Sequence, residues 1–203
     1  MLQIVRDKTH LTNKNANLFC KALTKEGERQ GVEINTIIVG SQEDTYNIDF
    51  NKPTIVIDPF EFIPMSCFNN ADLDTTATVC FDIIKDLPPS NVVLIGRGNV
   101  GKPLIGMIVN KSNHTLSIAN SHTEEWCLDE LIQNADIIIN TSTNEIIHKW
   151  YIAGKTIIDI NNNFKFMVSN NRRPNKLYNM SDIGKLTVQQ IISRAKEGDR
   201  NEI

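Results

Sequence analysis

The sequence contains no apolar run that approaches the roughly 18 residues of a membrane-spanning helix. Its first residues, MLQIVRDKTH, include no long apolar stretch of the kind found in a secretory signal. The net charge is only -3, so there is no global electrostatic attraction to nucleic acid or to a membrane surface. These absences predict a globular, cytoplasmic protein whose partners include neither nucleic acid nor a membrane.

Cysteine is scarce and scattered, with no C-x-x-C pair and no histidine at ligand spacing. The sequence therefore predicts no metal site, because structural zinc sites have a recognisable ligand spacing. Without a secretory signal the thiols are expected to be reduced, and a thiol within a helix is expected to be buried and inert. The four cysteines are Cys20, Cys67, Cys80 and Cys127, of which Cys127 falls in a predicted helix.

Other polar residues lack a pattern that indicates catalysis. Asp58 and Glu61 flank a Pro-Phe pair, and two carboxylates in a polar loop are typically solvated. His114 and His148 are expected at the surface, and the pair at 172–173 is expected in a solvated basic turn. No Ser-His-Asp set shows a nucleophile elbow. The sequence thus identifies no catalytic residue.

Hydrophobic periodicity predicts that helices and strands alternate along the chain. The first half is expected to hold a helix at 13–31 (with Leu18 and Ala22 on one face), strands at 32–40 and 52–60, and a helix at 74–87. The second half is expected to hold strands at 91–96, 114–120, 136–142 and 155–163, and helices at 101–111, 123–135 (capped by Thr123) and 187–198.

This alternation, with nearly continuous apolar strands, predicts an α/β protein with a parallel sheet covered on both faces. The Pro88-Pro89 pair marks the expected boundary between two domains. Residues 1–87 are expected to form a smaller, truncated N-terminal α/β domain that includes a linking helix. Residues 88–203 are expected to form a Rossmann-type, dinucleotide-binding domain.

A glycine-rich turn joins a predicted strand to a predicted helix in the second half. Gly96, Arg97, Gly98, Asn99, Val100 and Gly101 fit the pattern G-x-G-x-x-G. The first glycine permits a tight turn, the second lets backbone N–H groups approach a pyrophosphate, and the third lets the helix pack close to the strand. The helix N-terminus adds unpaired N–H donors and a partial positive charge. Dinucleotide binding is favoured over an ordinary α/β glycine turn.

The residues after the next strand address which dinucleotide is bound. NAD-binding versions of the motif have a carboxylate about 20 residues on that holds the ribose hydroxyls. Here that strand ends in Asn-Ser-His-Thr, so Ser121 and His122, with Arg97, suit a 2′-phosphate instead. NADP is therefore favoured over NAD, unless Arg97 is merely a solvated loop charge. Thr141 and Ser142, after the following strand, complete the candidate cofactor-binding residues.

Together these residues resemble one family, the methylenetetrahydrofolate dehydrogenase/cyclohydrolases of folate metabolism. VVLIGRGNVGKP is similar to the family's V-V-I-G-R-S-x-x-V-G-x-P, and LSIANSHT to a strand that ends in C-H-S-x-T. NADIIIN, EIIHKWYIAGKTIIDINNN and SDIGKLTVQQII resemble the later family segments in the same order, from residue 74 to about 195. The resemblance implies an NADP- or NAD-dependent oxidoreductase of one-carbon metabolism with a folate-like substrate. It also implies a homodimer.

The first half departs from the family pattern. The family follows its first strand with Y-V-x-x-K, whose Tyr shapes the folate site and whose Lys drives the cyclohydrolase step. Here Tyr46 matches the Tyr as a weak substrate-binding candidate, while Phe50 stands where the Lys is expected and Lys52 is out of register. The family's folate-pocket segments are reduced or replaced. These departures imply a methylenetetrahydrofolate dehydrogenase-like enzyme with weak or lost cyclohydrolase activity. The alternatives are a non-catalytic nucleotide-binding or regulatory relative, and a scaffold that binds neither ligand.

Overall fold

The structure, a computed structural model, describes residues 1–8, 11–41, 43–49, 52–56, 75–167 and 174–200. The chain folds into two compact units. The first unit combines Met1–Thr75 with Lys185–Ile203, and the second is Thr76–Gly184. These limits differ from the boundary at residues 87 and 88 that the sequence suggested.

The first unit contains a three-stranded parallel sheet of order β2-β1-β3. Its elements are β1 (Leu2–Asp7), α1 (Lys14–Gln30), β2 (Ile34–Val39), a 3-10 helix (Glu43–Asn47) and β3 (Thr54–Val56). Residues Val188, Ile191 and Ile192 pack into the same core as Leu2 and Ile4. The C-terminal residues are therefore grouped with this unit by hydrophobic packing.

Helix α1 presents a different face to the core from the one expected. Ala16 and Leu23 are buried, and Phe19 and Cys20 are partly buried, at the spacing i, i+3, i+4 and i+7 of one helical stripe. Leu18 lies outside this stripe and is 64% exposed. The expectation that Leu18 marks the apolar face was wrong, because the four-residue stripe buries more apolar surface.

The second unit contains a five-stranded parallel sheet of order β10-β8-β6-β4-β5 and a parallel pair, β7-β9. Its strands are β4 (Asn91–Ile95), β5 (Thr115–Ala119), β6 (Ile137–Asn140), β7 (Ile146–Tyr151), β8 (Thr156–Asp159), β9 (Phe164–Met167) and β10 (Lys176–Asn179). Its helices are α2 (Thr75–Ile84), α3 (Gly101–Lys111) and α4 (Glu125–Asn134), followed by α5 (Met180–Arg200), whose residues from 185 are grouped with the first unit.

Both faces of the five-stranded sheet are covered, which confirms the expected α/β class. Val92 and Leu94 of β4 pack with Leu104 of α3, whereas Val93 and Ile95 pack with Ile132 of α4. A strand buried on both faces needs apolar residues at consecutive positions, which explains the continuous apolar runs. Helix α2 also packs into the α3 side of this core.

Residues 57–60 and 74 of the expected elements lie outside the described part of the chain. Elsewhere, except for the last helix, the expected elements match those of the structure within a few residues, and α3 matches at both ends. Strands β1, β7, β9 and β10 were not expected. Helix α5 begins before the expected residue 187, because Asn179 Oδ1 accepts the N–H groups of Ser181 and Asp182 at 2.8 and 3.2 Å. Asp182 Oδ2 in turn accepts the Asn179 N–H at 3.2 Å, which completes a capping box.

Two side-chain expectations were wrong. Thr123 does not cap α4, because its hydroxyl accepts the Asn120 N–H at 3.0 Å instead. His114 is half-buried rather than a surface residue. Its Nδ1 accepts the Ser90 N–H at 3.2 Å and its Nε2 lies 3.0 Å from the Ile84 carbonyl oxygen. This geometry requires the tautomer with the proton on Nε2.

Within the described residues, no helix is both long and apolar enough to cross a membrane. The same residues contain no group of three or more His, Cys, Asp or Glu side chains placed to hold a metal ion. Cys80 and Cys127 are free thiols. Cys80 is buried and Cys127 is half-buried, and burial raises the pKa of the Cys80 thiol to about 12.

Candidate functional site

The five-stranded sheet has a topological switch point beside β4. From β4 the chain passes through α3 to β5 on one side, and later returns to β6 on the other side of β4. Ligands of open parallel sheets bind in the crevice outside the carboxyl ends of the strands at such a point. The residues that follow β4 and β6 here are the glycine loop, 96–101, and the turn that begins at Thr141.

Two of the three glycines are required by close contacts. Gly96 has a φ of 95°, and a Cβ built on it would lie 2.7 Å from Thr141 Oγ1 and 3.0 Å from the Ser142 nitrogen. A Cβ on Gly101 would lie 2.4 Å from the Gly96 carbonyl oxygen. The loop is therefore packed tightly against the neighbouring turn on one side and against its own helix on the other.

Gly98 differs from the other two glycines because a Cβ built on it would meet nothing within 4 Å. Its exposed backbone therefore lies beside open space at the N-terminal end of α3. The N-cap of that helix is Val100, which makes no side-chain capping hydrogen bond. Open space beside a glycine, next to an N-terminus with its partial positive charge, fits a pyrophosphate group.

Thr141 and Ser142 hold the glycine loop in place. The Thr141 N–H donates to the Ile95 carbonyl oxygen at 2.8 Å, and its hydroxyl lies 3.1 Å from the carbonyl oxygens of Ile95 and Gly96. The Ser142 N–H donates to Asn140 Oδ1 at 3.1 Å, and its hydroxyl accepts the Asn144 N–H at 3.0 Å. These two residues thus fix the shape of the crevice between β4 and β6.

The turn after β5 brings Ser121 and His122 to the same edge of the sheet. Ile95 is paired with Ala119, and the Gly96 N–H donates to the Ala119 carbonyl oxygen at 2.8 Å, so the ends of β4 and β5 are adjacent. The side chains of Ser121 and His122 are exposed, as are those of Arg97 and Asn99 in the glycine loop. Val100 instead packs against the core that contains Leu104, so its side chain has a structural role.

A set of asparagines after β8 also lies at this edge. Asn161 Nδ2 donates to the Ser142 carbonyl oxygen at 2.9 Å, and Asn163 Nδ2 donates to the Thr143 carbonyl oxygen at 2.8 Å. Asn162 has a φ of 56°, and its Oδ1 accepts the Met180 N–H at 3.1 Å. The sequence signal was the run of three asparagines directly after an apolar strand. Asn161 and Asn163 thus tie the loop after β8 to the turn after β6, and Asn162 ties the same loop to the start of α5.

The substrate side of the predicted site lies largely outside the described residues. The backbone of Tyr46 belongs to the 3-10 helix Glu43–Asn47, but its side chain is outside the described set. Phe50, Asp58, Glu61 and the pair at 172–173 are also outside it, as is the side chain of His148. Lys52 is described, and its Nζ lies 3.3 Å from Asp49 Oδ2 in a partly exposed ion pair.

A lysine with a perturbed pKa lies at the opposite edge of the five-stranded sheet. Burial lowers the pKa of Lys155, whose Nζ donates to the carbonyl oxygens of Gln133 (2.8 Å) and Ala135. These carbonyls belong to the last turn of α4 and the residue after it. Lys155 therefore satisfies the end of a helix and does not take part in the crevice.

Comparison with known proteins gave three findings. A sequence model of the family described as tetrahydrofolate dehydrogenase/cyclohydrolase, NAD(P)-binding domain, matches residues 75–195, which is more than half of the chain. The bifunctional protein FolD 1 of Mesorhizobium japonicum is 32% identical over 117 residues, covering 51% of this chain and 38% of that protein. The chain spans half or less of the length of the curated relatives it matches.

Solved structures agree on the fold. A 5,10-methylenetetrahydrofolate dehydrogenase from the silkworm Bombyx mori superposes with a TM-score of 0.76 at 17% identity, covering 98% of this chain and 88% of that one. A methylenetetrahydrofolate dehydrogenase-cyclohydrolase from Trypanosoma brucei, complexed with NADP and an inhibitor, gives 0.71 at 13% identity, covering 96% and 84%. The α/β fold with its Rossmann-type sheet is thereby confirmed.

Proposed function

The chain belongs to the tetrahydrofolate dehydrogenase/cyclohydrolase family, and on this premise we propose that it is an NAD(P)-dependent oxidoreductase of one-carbon metabolism. Its proposed substrate is a methylenetetrahydrofolate or a close analogue. The observation that carries the proposal is the glycine loop at the switch point, closed by contacts at Gly96 and Gly101 and open at Gly98.

The proposed cofactor site is made of the glycine loop and the two turns beside it. In this proposal the pyrophosphate binds to backbone N–H groups near Gly98 and at the start of α3, other than that of Lys102, which donates to the Gly98 carbonyl oxygen at 3.0 Å. Arg97, Ser121 and His122 are exposed at neighbouring strand ends, where the adenosine ribose of a dinucleotide binds in such sheets. The turn after β5 has no carboxylate from 120 to 123, which supports NADP over NAD. Thr141 and Ser142 complete the site.

The dinucleotide supplies the hydride acceptor when it is bound, and the chain positions it. The oxidation moves a hydride from the methylene carbon of the folate and leaves a methenyl product, with Tyr46 as the proposed contact on the folate side. No Lys follows Tyr46 at the family's spacing, since Phe50 stands there. We therefore expect weak or absent cyclohydrolase activity. Formation of formyl-folate from methenyl-folate by the pure protein would contradict this expectation.

Thermal melting with NADP, NAD and a reduced folate, alone and in pairs, tests the proposal. A ligand that binds the native state at about 100 times its dissociation constant adds about 2.7 kcal/mol, which is roughly 5–10 °C for a chain of this size. A rise with dinucleotide and a further rise with folate support the enzyme, whose turnover is then followed by absorbance of the reduced nicotinamide. A rise with dinucleotide alone supports the non-catalytic, nucleotide-binding alternative. No rise with dinucleotide or with folate would exclude both the enzyme and the nucleotide-binding alternative.

Gly98→Ala sharpens this test. The new methyl group meets nothing within 4 Å, so stability should change by less than about 0.5 kcal/mol. If the pyrophosphate lies against Gly98, the methyl group occupies its place and the midpoint shift caused by NADP disappears. Gly106→Ala in α3, where a Cβ also meets nothing within 4 Å, is the matched control and should keep the shift. An equal shift in both variants would place the ligand elsewhere.

Finer features are also part of the proposal. We propose a cytoplasmic homodimer, which sedimentation of the pure protein and microscopy of a tagged chain would test. The division into a folate-side domain at 1–87 and a dinucleotide domain at 88–203 likewise remains a proposal. Limited proteolysis that releases a stable fragment beginning near residue 88 would support it, and a stable fragment that retains α2 would contradict it.

A further inference from the structure

Two buried polar side chains lie opposite each other at the carboxyl ends of adjacent strands. Asn140 ends β6 and Asp159 ends β8, and the register of the two strands pairs them directly. Asn140 is 0% exposed and Asp159 is 5% exposed. Buried polar groups are costly unless each is hydrogen-bonded, so the partners of this pair show why it is tolerated.

The carboxylate of Asp159 receives three N–H donors. Its Oδ1 accepts from Asn140 Nδ2 at 2.9 Å and from the Asn163 backbone N–H at 3.3 Å. Its Oδ2 accepts the Phe164 backbone N–H at 2.9 Å. Because all three partners are donors, both oxygens must be acceptors. A carboxylate satisfies this requirement and a carboxamide does not.

The carboxylate also decides which way the Asn140 amide points. The NH₂ group faces Asp159, so the Asn140 oxygen faces the Ser142 N–H, which donates to it at 3.1 Å. Ser142 follows Thr141, whose hydroxyl lies 3.1 Å from the Gly96 carbonyl oxygen. One polar chain therefore runs from Asp159 on β8 to the first glycine of the loop after β4.

We propose that Asp159 is a positioning residue for the dinucleotide. Acting through Asn140, it fixes the turn at Thr141 and Ser142, against which Gly96 packs with less room than a Cβ needs. The inference rests on the proposed function, because the object positioned is the dinucleotide loop. It adds two residues to the site that no glycine motif contains.

Asp159→Asn tests the role. The new NH₂ group must face either the Phe164 N–H or both Asn140 and Asn163, so the amide of Asn140 loses its fixed orientation. We expect the dissociation constant of NADP, measured by calorimetry well below the melting midpoint, to rise about tenfold or more, since a hydrogen bond to a charged group is removed. Hydrogen exchange of the Ser142 amide should become faster in the absence of any ligand.

The exchanged pair, Asn140→Asp with Asp159→Asn, gives the sharper result. The new NH₂ at 159 donates to the new carboxylate at 140, which still accepts the Ser142 N–H, while the amide oxygen at 159 still accepts the Phe164 N–H. Only the 3.3 Å bond from Asn163 is lost. We expect the double variant to bind NADP within about threefold of the unsubstituted chain, since three of the four bonds are kept. Asn140→Asp alone sets two carboxylates side by side and should bind weakly.

Asp136→Asn is the matched control. Asp136, directly before β6, accepts the N–H of Asn91, the first residue of β4, through Oδ2 at 2.8 Å. This contact joins the amino ends of the two strands, whereas the dinucleotide site is proposed at their carboxyl ends. Asp136→Asn should leave NADP binding unchanged. The inference alone would be overturned if Asp159→Asn also left NADP binding unchanged. It would likewise be overturned if the folded double variant failed to restore NADP binding. Absence of binding by the unsubstituted chain would overturn the proposed function and this inference with it. If Asp159→Asn does not fold, the double variant decides.

Discussion

Substitution of alanine for two different glycines of α3 should change the stability of the protein in opposite directions. Gly101 begins α3 and Gly106 lies in its middle. Alanine in a helix interior is favoured over glycine by about 1 kcal/mol, because glycine loses more backbone entropy on folding. At Gly106, where a Cβ meets nothing within 4 Å, we expect this gain with no opposing cost.

At Gly101 the added Cβ would lie 2.4 Å from the Gly96 carbonyl oxygen, about 1 Å short of the 3.4 Å at which ordinary contact begins. The obstacle is backbone that is itself held by Thr141, so it cannot turn away as a flexible side chain would. Overpacking of this kind costs about 1–3 kcal/mol. The net effect of Gly101→Ala should therefore be a loss of stability.

The two variants should differ by about 2–4 kcal/mol, which corresponds to melting midpoints of the order of 10 °C apart for a chain of this length. Far-ultraviolet circular dichroism during heating and in urea measures both quantities. NADP binding should survive in Gly106→Ala and weaken in Gly101→Ala, because only the second moves the loop. If Gly101→Ala were as stable as the unsubstituted chain, the close packing of the glycine loop on α3 would be refuted.

Three further substitutions probe contacts away from the loop. His114→Ala removes the acceptor of the Ser90 N–H and the partner of the Ile84 carbonyl, so the free energy of unfolding in urea should fall by about 1–3 kcal/mol; an unchanged midpoint would contradict this bridge. Asn179→Ala removes the cap of α5 and should cost about 1 kcal/mol in the same titration, whereas no loss would mean that the cap is replaced. Burial raises the pKa of Cys80 to about 12 from 9.0, so the stabilisation by its neutral thiol is complete below pH 9 and is lost as the pH rises toward 12. The stability difference between the unsubstituted chain and Cys80→Ala should therefore shrink above pH 9, and a constant difference would count against the burial of the thiol.

Strands β4, β5, β6 and β8 and helices α2, α3 and α4 of the second unit could be predicted because each is bounded by a strong local signal, whereas β7, β9 and β10 were missed. Helix α3 was predicted at both ends, since a glycine turn precedes it and a polar Asn-Lys-Ser run spans its C-terminal end. Helix α5 was predicted too short, because its cap is Asn-x-x-Asp rather than the usual Ser/Thr-x-x-Glu, and Gly184 within it resembles a break. Local sequence signals thus predict the presence of a helix or strand well, but they predict its ends poorly where the capping residues are unusual.

The candidate site could be predicted only in part for a different reason. The glycine loop is contiguous in sequence, so Gly96, Gly98 and Gly101 were identifiable. Asn140 and Asp159 are 19 residues apart, and each ends an apolar strand where a polar residue is usually solvated. Only the register that pairs β6 with β8 shows that they meet in the interior. Pairings between strands that are distant in sequence have no local signature.

The first unit takes its core from segments far apart in the chain, which constrains how it can form during synthesis. Leu2 and Ile4 are made early, but their partners Val188 and Ile191 are made only after the whole of Thr76–Gly184. The second unit is continuous, so its core can close as soon as residue 184 has left the ribosome. The first unit, whose three strands precede the second unit in the chain, therefore completes its core after the second unit can. Until then Leu2 and Ile4 of β1 lack part of the core that buries them, so they can bind chaperones or aggregate.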